Sequence, residues 1–520
     1  MSASKAEGIG NAGGEELPEG WAWATVGDVL VAPVVNGRSV RTEAGGFPVL
    51  RLTALRSDNV DLAERKEGEW TADEAAPYLV RANDFLICRG SGSLDLVGRG
   101  ALVPEAPDPV AFPDTMIRVR VPAEHMSPRF LTRLWASPLV REQVERAART
   151  TAGIYKVSQP AVCEVKIPLP PTAEQRRIAA VLDTRMGQID AIEVKLGTAL
   201  NYLDVLQNST MAAAATGLLD PEAVPASVPA APTADLGDGS LPDLADGWSW
   251  SRLADVAEVV GGVTKDSKRQ SDEALPEVPY LRVANAQRAH LDLSQVTKIR
   301  VPVKTLSKLR LESGDLLLAE GGDRDKLGRG WIWENQIKDC IHQNHLFRAR
   351  IRDDTTHPKL LAWYTNSAAR DWFESHAKQS VNLASISMSK VRNLPVPIPP
   401  QAEQIKAVAA GERSLGHLKV LVELAQQALT NTATLRRALL AEAFSGRLVP
   451  QDPADEPAEE LLKRIRVERE AAEVERRAVR KASRAGRKAM AETVPPPPTS
   501  ANDTALASGE QTALPLEFSS

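Results

Sequence analysis

The chain is 520 residues long, which predicts about three or four domains. Hydrophobic residues make up 43% and charged residues 25% of it, so most of the chain has the composition of ordinary globular domains. The formal net charge of −5 excludes a uniformly basic protein that coats nucleic acid, but it leaves room for local basic surfaces.

Cysteine usage and hydropathy favour a cytoplasmic protein. The three cysteines, Cys88, Cys163 and Cys340, lie far apart without a Cys-x-x-Cys pair, which excludes a disulfide framework and suits a reducing compartment. No stretch approaches the roughly 18 apolar residues that a membrane span needs, and residues 1–20 contain no apolar signal core. We therefore expect a cytoplasmic chain with no membrane partner.

The sequence repeats itself at an offset of about 230 residues, a period too long for a solenoid. The opening LPEGWAWATVGDVL (residues 17–30) returns as LADGWSWSRLADVA (residues 244–257). Residues 130–221 align without a gap on residues 359–450, with IPLPPTAEQ matching VPIPPQAEQ. We interpret the chain as a duplicated unit.

The first part of each copy predicts a domain of strands and helices. Short apolar runs such as DFLIC and DLLLA, punctuated by Gly, Pro, Asp and Asn, favour β-strands. One helix is predicted near the end of each part, over residues 129–148 and 358–377.

The second part of each copy predicts a long helix that begins after a proline-rich segment. Pro170 and Pro171 favour an extended approach that is not itself helical. Thr172 and Gln175 have the spacing of a capping box, which predicts the start of the first long helix.

Apolar residues recur along both long helices with the alternating three- and four-residue spacing of a heptad seam. The seam comprises Ile189, Ile192, Leu196, Ala199, Leu203 and Leu206 in the first helix and Leu415, Leu418, Val422, Ala425, Leu429 and Thr432 in the second. Two such helices in one chain favour pairing with each other; the alternative is that each packs on its own domain. Gly217 and Gly446 are stop signals, and Gly411 and Gly416 weaken the second helix.

The remaining segments are polar or rich in proline. Residues 457–490 carry 11 Lys or Arg and 6 Glu, which favours a solvated charged helix; contact with a partner subunit or DNA is the alternative. The predicted segments are a disordered N-terminus (1–16), a first domain (17–171), a first helix (172–219), a Pro/Ala-rich linker (220–243), a second domain (244–400), a second helix (401–450), a charged helical tail (451–492) and a disordered C-terminus (493–520).

The motifs of catalysis are missing from the sequence. It contains no phosphate-binding GxxxxGK[ST], no GxGxxG that opens a helix after a strand, no GxSxG and no Asp/Asn-Pro-Pro-aromatic motif of amino-methyltransferases. Cys340, His342 and His345 come nearest to a metal motif, but in a strand His345 points away from the other two. We expect no catalytic residue, no cofactor and no metal.

Basic residues recur near glycine loops and strand ends in both copies. Glycine lets backbone amides approach phosphate, and arginine can read base edges with paired hydrogen bonds. The alternative for each residue is an ordinary surface charge. The candidate DNA-binding residues are Arg89, Arg99, Arg149, Lys156, Lys304, Lys308, Arg324, Lys326 and Arg329.

Two similar binding units on a helical spacer suggest a reader of two half-sites. A helix of about 35 residues is roughly 50 Å long, and one turn of B-DNA is about 34 Å. Because the two copies differ in their loops, the half-sites need not be identical.

The order of these parts resembles the specificity (S) subunit of type I restriction-modification systems. The matching motifs are the Gly-Trp-x-Trp opening of each copy, the GDLLLAEGG…LGRG and QNHLFRARI stretches, the twin P-x-PP-x-AEQ junctions and the C-terminal LRRALLAEAFSGRLVPQDP. The resemblance covers the chain from Leu17 to Glu470.

The resemblance implies an α+β protein with two tandem α/β target-recognition domains, each followed by a long helix, and the two helices pairing as an antiparallel coiled coil. It implies a non-catalytic subunit that reads a bipartite asymmetric target in double-stranded DNA. The implied partners are two modification subunits, which use S-adenosylmethionine to methylate adenine, and two restriction (motor-nuclease) subunits. The helices and the C-terminal region would be the docking surface for the modification subunits.

Two other functions are compatible with parts of the sequence. A site-specific methyltransferase or nuclease that is active alone would need the cofactor or metal motifs that the sequence lacks. A scaffold that binds only protein would leave the basic loops solvated.

Overall fold

The computed structural model describes residues 16–105, 108–151, 153–219, 234–235, 240–379 and 383–492. The chain divides into two compact units: the first comprises Met1–Gly187 and Leu435–Ser520, and the second comprises Gln188–Thr434. The two terminal segments predicted to be disordered lie outside the described residues, except for residue 16. Most of the predicted linker also lies outside them.

The first copy of the repeat consists of strands and short helices followed by one long helix. Its strands are β1 (Ala22–Thr25), β2 (Val35–Asn36), β3 (Thr42–Leu50), β4 (Arg65–Gly68), β5 (Phe85–Cys88), β6 (Gly90–Ser91), β7 (Gly100–Leu102), β8 (Met116–Val119), β9 (Arg149–Thr151), β10 (Ile154–Lys156) and β11 (Lys166–Leu169). Its α-helices are α1 (Ala72–Ala75), α2 (Pro128–Trp135), α3 (Pro138–Ala147), α4 (Gln159–Cys163) and α5 (Thr172–Thr216). Short 3-10 helices occupy Val26–Val29, Leu52–Ala54 and Ala76–Tyr78.

The second copy has the same organisation and is followed by one more helix. Its strands are β12 (Ala234–Asp235), β13 (Ser240–Leu241), β14 (Ser249–Arg252), β15 (Ala257–Gly261), β16 (Glu277–Leu281), β17 (Ala286–Gln287), β18 (His290–Leu291), β19 (Thr297–Arg300), β20 (Leu316–Ala319), β21 (Gly321–Gly322), β22 (Gly330–Ile332), β23 (Ile341–His342), β24 (Leu346–Ile351), β25 (Lys378–Gln379), β26 (Ala384–Ser385) and β27 (Pro395–Ile398). The α-helices are α6 (Leu253–Val256), α7 (Ser267–Gln270), α8 (Val303–Leu309), α9 (Pro358–Asn366), α10 (Arg370–His376), α11 (Met388–Arg392), α12 (Gln401–Phe444) and α13 (Ala458–Glu492), and the 3-10 helices are Val283–Asn285 and Arg324–Lys326.

Each domain has two short helices where the sequence predicts one. In the first domain Pro138 begins the new helix α3, since proline suits the first turn of a helix but not its interior. In the second domain the backbone of Ser367 (φ −126°, ψ −95°) is not helical and separates α9 from α10.

Strand pairing repeats together with the sequence. The four-stranded sheet β2-β8-β5-β7 of the first copy corresponds to β15-β24-β20-β22 of the second, and the small sheet β6-β10-β9 corresponds to β21-β26-β25. Strand β1 pairs antiparallel with β11, and β14 pairs antiparallel with β27. The Gly-Trp-x-Trp opening of each copy is therefore fixed to the strand that leads into the long helix.

An ion pair on a buried carboxylate recurs in both copies. The Asp84 carboxylate, 1% exposed, accepts hydrogen bonds from Nε and Nη2 of Arg120 at 2.5 and 2.6 Å. The Asp315 carboxylate, also 1% exposed, accepts the same two bonds from Arg350 at 2.7 and 2.8 Å. Each aspartate also accepts a hydrogen bond from the backbone amide three residues before it. One carboxylate therefore links its own turn to the strand that contains the arginine or ends directly before it.

The two long helices run antiparallel where they meet in the second unit. Helix α5 has 45 residues and α12 has 44, so each is about 67 Å long, longer than the spacer expected from the sequence. Leu203 of α5 clusters with Leu418 of α12, whereas Ala214, further along α5, lies beside Gly411, which precedes Leu418 in α12. This reversed order defines the antiparallel pairing.

The predicted seam is correct throughout α12 and wrong at two positions of α5. All six predicted seam residues of α12 are buried or half-buried. In α5, Ile192 and Ala199 are exposed, and Glu193 and Leu200 are half-buried in their place. The reason is the order of the steps along the seam. After Ile189 the observed seam advances four residues to Glu193, whereas the prediction advances three residues to Ile192. The apolar pattern alone therefore selects an exposed isoleucine in place of the glutamate that lies on the seam.

The predicted capping box of α5 is wrong. Thr172 is the first helical residue, and the Gln175 side chain turns to the preceding domain, where it accepts a hydrogen bond from the Ser127 amide at 2.9 Å. In the second copy the matching Gln404 donates to the Thr355 carbonyl at 3.1 Å. The glutamine of each AEQ motif thus ties the long helix to a loop of its own domain.

The C-terminal part of the chain packs on the first domain within the first unit. The ring of Phe444, the last residue of α12, meets the ring of Phe130 at a centroid distance of 5.6 Å. The Ala458 amide donates to the Gly20 carbonyl at 2.8 Å. The tail predicted as a solvated helix is therefore buried in its first turns. The buried side chains of α13 are Ala458, Leu461, Leu462 and Ile465.

The two weak points predicted in α12 differ in their surroundings. A Cβ on Gly411 would lie 2.5 Å from the ring of the buried Trp363 and 3.0 Å from Ala214, whereas a Cβ on Gly416 would meet nothing within 4 Å. The close approach of the Trp363 ring to the backbone of α12 therefore requires glycine at position 411, whereas no neighbour requires glycine at position 416.

We expect Gly411→Ala to lower the free energy of unfolding by about 2 kcal/mol, because the added methyl group overpacks the contact with Trp363. The matched change Gly416→Ala, in the same helix and open to solvent, is expected to raise it by about 0.5–1 kcal/mol. Urea denaturation of both variants measures the difference. Equal effects of the two changes would contradict the assignment of Gly411 to a packing role.

Candidate nucleic-acid interface

A glycine-containing segment follows the central buried strand of each domain and joins a small three-stranded sheet. In the first copy this sheet, here the first ribbon, consists of β6, β10 and β9. In the second copy the second ribbon consists of β21, β26 and β25. Gly90 pairs with Lys156 in the first ribbon and Gly321 pairs with Ser385 in the second, so a glycine backbone forms one edge of each.

The first ribbon brings together three of the predicted DNA-binding residues. Arg149 and Lys156 lie directly opposite each other on neighbouring strands, both exposed, and among the described residues their side chains make no hydrogen bond or ion pair. Arg89, next to Gly90, is half-buried and donates to the Asp114 carbonyl at 3.2 Å. Like charges directly opposite each other in a sheet are destabilising, so this surface is suited to an anionic partner.

The Gly-Arg-Gly loops hold four more of the predicted residues. Arg99 and Arg324 are exposed. Lys326 forms an ion pair with Asp323. Arg329 is half-buried, and its Nε is buried without a hydrogen-bond partner among the described residues.

Lys304 and Lys308 lie elsewhere in the second domain. Both are exposed on α8. The chain passes from α8 through residues 310–315 into the first residue of β20, whereas the second ribbon follows the last residue of that strand. The two lysines therefore belong to a different part of the surface from Arg324, Lys326 and Arg329.

Three basic residues near the predicted ones are absent from the sequence-based prediction. Lys378 of the second ribbon is exposed and occupies the position of Arg149 in the gapless alignment of the copies, which could have identified it. Arg329 and Arg370 lie close enough to Arg288 for their charges to act on it, and no spacing in the sequence indicates that proximity.

The cysteine–histidine segment near β23 is a poor metal site. His342 is fully buried, which lowers its pKa to about 4, and burial raises the pKa of Cys340 to about 12. His345 is exposed, and its Nδ1 lies 2.7 Å from the Glu320 carboxylate. Within the described ranges, no group of three or more His, Cys, Asp or Glu could hold a metal ion.

Comparison with known proteins identifies the domain. Residues 245–410 match the family model described as the type I restriction modification DNA specificity domain. The specificity subunit of the type I restriction enzyme StySPI from Salmonella potsdam is 25% identical over 87% of this chain and 96% of that protein. The EcoKI specificity subunit from Escherichia coli K12 is 23% identical over 88% of this chain and 97% of that protein.

A solved structure shows the same fold. It was determined in a study of complex assembly and conformational transition of the type I R-M system. It covers 84% of this chain and all of its own chain, with a TM-score of 0.63 and 22% sequence identity.

The second domain is a type I restriction-modification DNA specificity domain, and the first domain repeats its strand order. Along most of its length the chain is similar to specificity subunits of type I restriction enzymes. The predicted family and the α+β fold class with two domains and two long helices are confirmed. The predicted role of a DNA sequence-recognition subunit, and not of an enzyme active alone, is also confirmed. No helix in the described part of the chain has the length and apolar composition of a membrane span.

Proposed function

We propose that the two domains read the two halves of a bipartite asymmetric DNA target and that the chain recruits two modification and two restriction subunits to it in the cytoplasm. In this proposal the modification subunits bind S-adenosylmethionine and methylate adenine. This chain binds no cofactor and contributes the choice of sequence.

The observation that carries the proposal is the pair of ribbons. The first ribbon presents Arg149 and Lys156 without internal partners. The second ribbon has the same strand pairing, with Lys378 and Ser385 at the matching positions. Two surfaces with one backbone plan and different side chains suit a target with two different halves, because side chains in the grooves distinguish base pairs.

Apolar residues exposed on the long helices support the docking of other subunits there. On α12, Val420 is 53%, Leu421 49% and Leu424 61% exposed. On α5, Tyr202 and Val205 are also more than half exposed. Contiguous exposed apolar side chains mark interaction surfaces in soluble proteins.

Methylome sequencing of cells that carry this chain and its modification subunit tests the proposal. We expect a split adenine-methylated motif that disappears when this gene is deleted. Replacing residues 17–171 by the first domain of a relative should change one half of the motif and leave the other intact. A motif that survives deletion of the gene would contradict the proposal.

Reversing one charge on the first ribbon is expected to weaken binding of the assembled complex to its target by about tenfold, with a salt dependence reduced by about one phosphate contact. The change is Lys156→Glu, and the measurement is fluorescence anisotropy with a labelled duplex at several salt concentrations. The control is Arg146→Glu, an exposed residue of the same domain that lies on α3, off the ribbon, and pairs with Glu142. Equal loss in both variants would indicate a general charge effect and contradict a role for the ribbon.

A further inference from the structure

Three arginines of the second domain lie together beside its Gly-Arg-Gly loop. Arg288 donates from Nη1 to the Asn366 carbonyl at 2.9 Å and from Nη2 to the Asp325 carbonyl. The Asn366 side chain donates to the Gly330 carbonyl at 2.8 Å, which fixes the loop beside the end of α9. The arginine cluster consists of Arg288, Arg329 in the loop, and Arg370 at the start of α10; the charges of Arg370 and Arg329 both act on Arg288.

No member of the arginine cluster is neutralised by an ion pair with any described residue. Arg288 donates only to peptide carbonyls, Arg329 has a buried Nε without a partner, and the guanidinium of Arg370 makes no hydrogen bond. All three residues are half-buried. Burial lowers the pKa of Arg329, and burial followed by the charge of Arg370 lowers the pKa of Arg288. Partly buried cations without partners are unfavourable unless an anion joins them.

The nearby carboxylates do not fill this role. Asp323 is engaged by Lys326. Asp325 and Asp204 attract members of the arginine cluster, yet neither makes an ion pair with them. The guanidinium N–H groups of the cluster therefore retain unused donor capacity.

The first domain shows that the shared fold does not require this arrangement. Arg141, which aligns with Arg370, donates to the Val97 carbonyl at 2.7 Å and forms an ion pair with Glu145 at 2.7 Å. Ser57 stands at the position of Arg288. The first copy thus neutralises the one arginine it keeps at these two positions, whereas the second copy concentrates positive charge.

We propose that the arginine cluster binds one phosphodiester group of DNA on the second domain, an inference that rests on the proposed function. The planar guanidinium fork matches the oxygens of a phosphate. Such a contact fixes the position of a domain on the duplex without reading bases. The cluster would therefore set the register in which the second ribbon meets its half-site.

The variant Arg370→Gln tests this proposal in the complex with the modification subunits. We expect about tenfold weaker binding of the target duplex and a salt dependence smaller by about one phosphate contact. The isolated full chain should melt at the same or a higher temperature than the wild type at low salt, because one member of a repelling cluster is gone. The control Arg269→Gln removes a half-buried arginine that is already paired with Asp266, and it should change neither the DNA affinity nor the melting temperature.

A second experiment compares the melting temperature in inorganic phosphate with that in chloride at equal ionic strength. Phosphate should raise the melting temperature of the wild-type chain by more than that of Arg370→Gln, whose response gives the general stabilisation by phosphate. A lower melting temperature with unchanged DNA affinity would assign Arg370 a structural role and overturn the inference. Phosphate stabilisation that depends on Arg370, with no change in DNA affinity, would also overturn the inference, because the cluster would then bind a free anion.

The failure of this inference can be told apart from the failure of the proposed function. If the wild-type complex yields no split methylated motif, the proposed function fails. If the motif is present and Arg370→Gln binds DNA as the wild type does, only this inference fails.

Discussion

Ending the chain after Pro457 is expected to lower the free energy of unfolding of the first unit by on the order of 5 kcal/mol, because several apolar side chains of α13 lose their burial. Leu461 and Ile465 are at most 1% exposed, and Leu462 is 9% exposed. Two anchoring hydrogen bonds would also be lost, from Arg469 to the Gly27 carbonyl at 3.2 Å and from Arg476 to the Val31 carbonyl at 2.5 Å.

Hydrogen exchange followed by mass spectrometry measures this effect unit by unit. Peptides of the first domain should lose protection, and peptides from residues 244–400 should keep it. The matched control ends the chain after Ala478, which removes basic residues of the tail but keeps the packed part of α13. Unchanged protection in the shorter chain would show that α13 does not contribute to the first unit.

Arg350→Ala is expected to destabilise the second unit by about 3 kcal/mol, because it leaves the Asp315 carboxylate buried without its cation. The hydrogen bonds to Asp315 raise the pKa of Arg350, which shows that the pair favours the charged guanidinium. Urea denaturation gives the change in free energy, and Arg120→Ala should repeat the effect in the first unit.

A second arginine of the same domain provides the control for this result. Arg310 pairs with Asp339 at 3.0 Å, but both side chains are more than one third exposed. Arg310→Ala is therefore expected to cost at most about 1 kcal/mol. A similar loss in the two variants would mean that the burial of Asp315 does not decide the strength of its ion pair.

The sequence was sufficient to predict the duplication, the family and the two long helices, because each depends on local patterns. The repeat needs only comparison of one part of the chain with another, and a helix seam follows from apolar spacing. The errors lie where tertiary contacts override such patterns. Gln175 has the spacing of a cap, yet a loop of its own domain engages its side chain. Glu193 lies on the seam although it is polar, and the apolar Ile192 beside it is exposed, because the winding of α5 decides which residues face inward.

The candidate DNA surface was predictable only in part. Glycine loops next to basic residues indicated Arg149 and Lys156, which the first ribbon brings together. The proximity of Arg288, Arg329 and Arg370 depends on three separate segments of the chain meeting in space. No motif in a single sequence encodes such a meeting, and the same holds for the separation of Lys304 from the second ribbon.

The division of the first unit between the two ends of the chain has a consequence for synthesis. Domains fold as they leave the ribosome, and the second unit is complete once Thr434 has emerged. The first unit is completed only by the segment from Leu435 onward, so that Phe130 lacks its contact with the Phe444 ring while the second unit folds. A nascent chain interrupted after Thr434 would pair a folded second unit with an unfinished first one. Chaperones and proteases could therefore distinguish interrupted chains from finished ones before any subunit assembles on them.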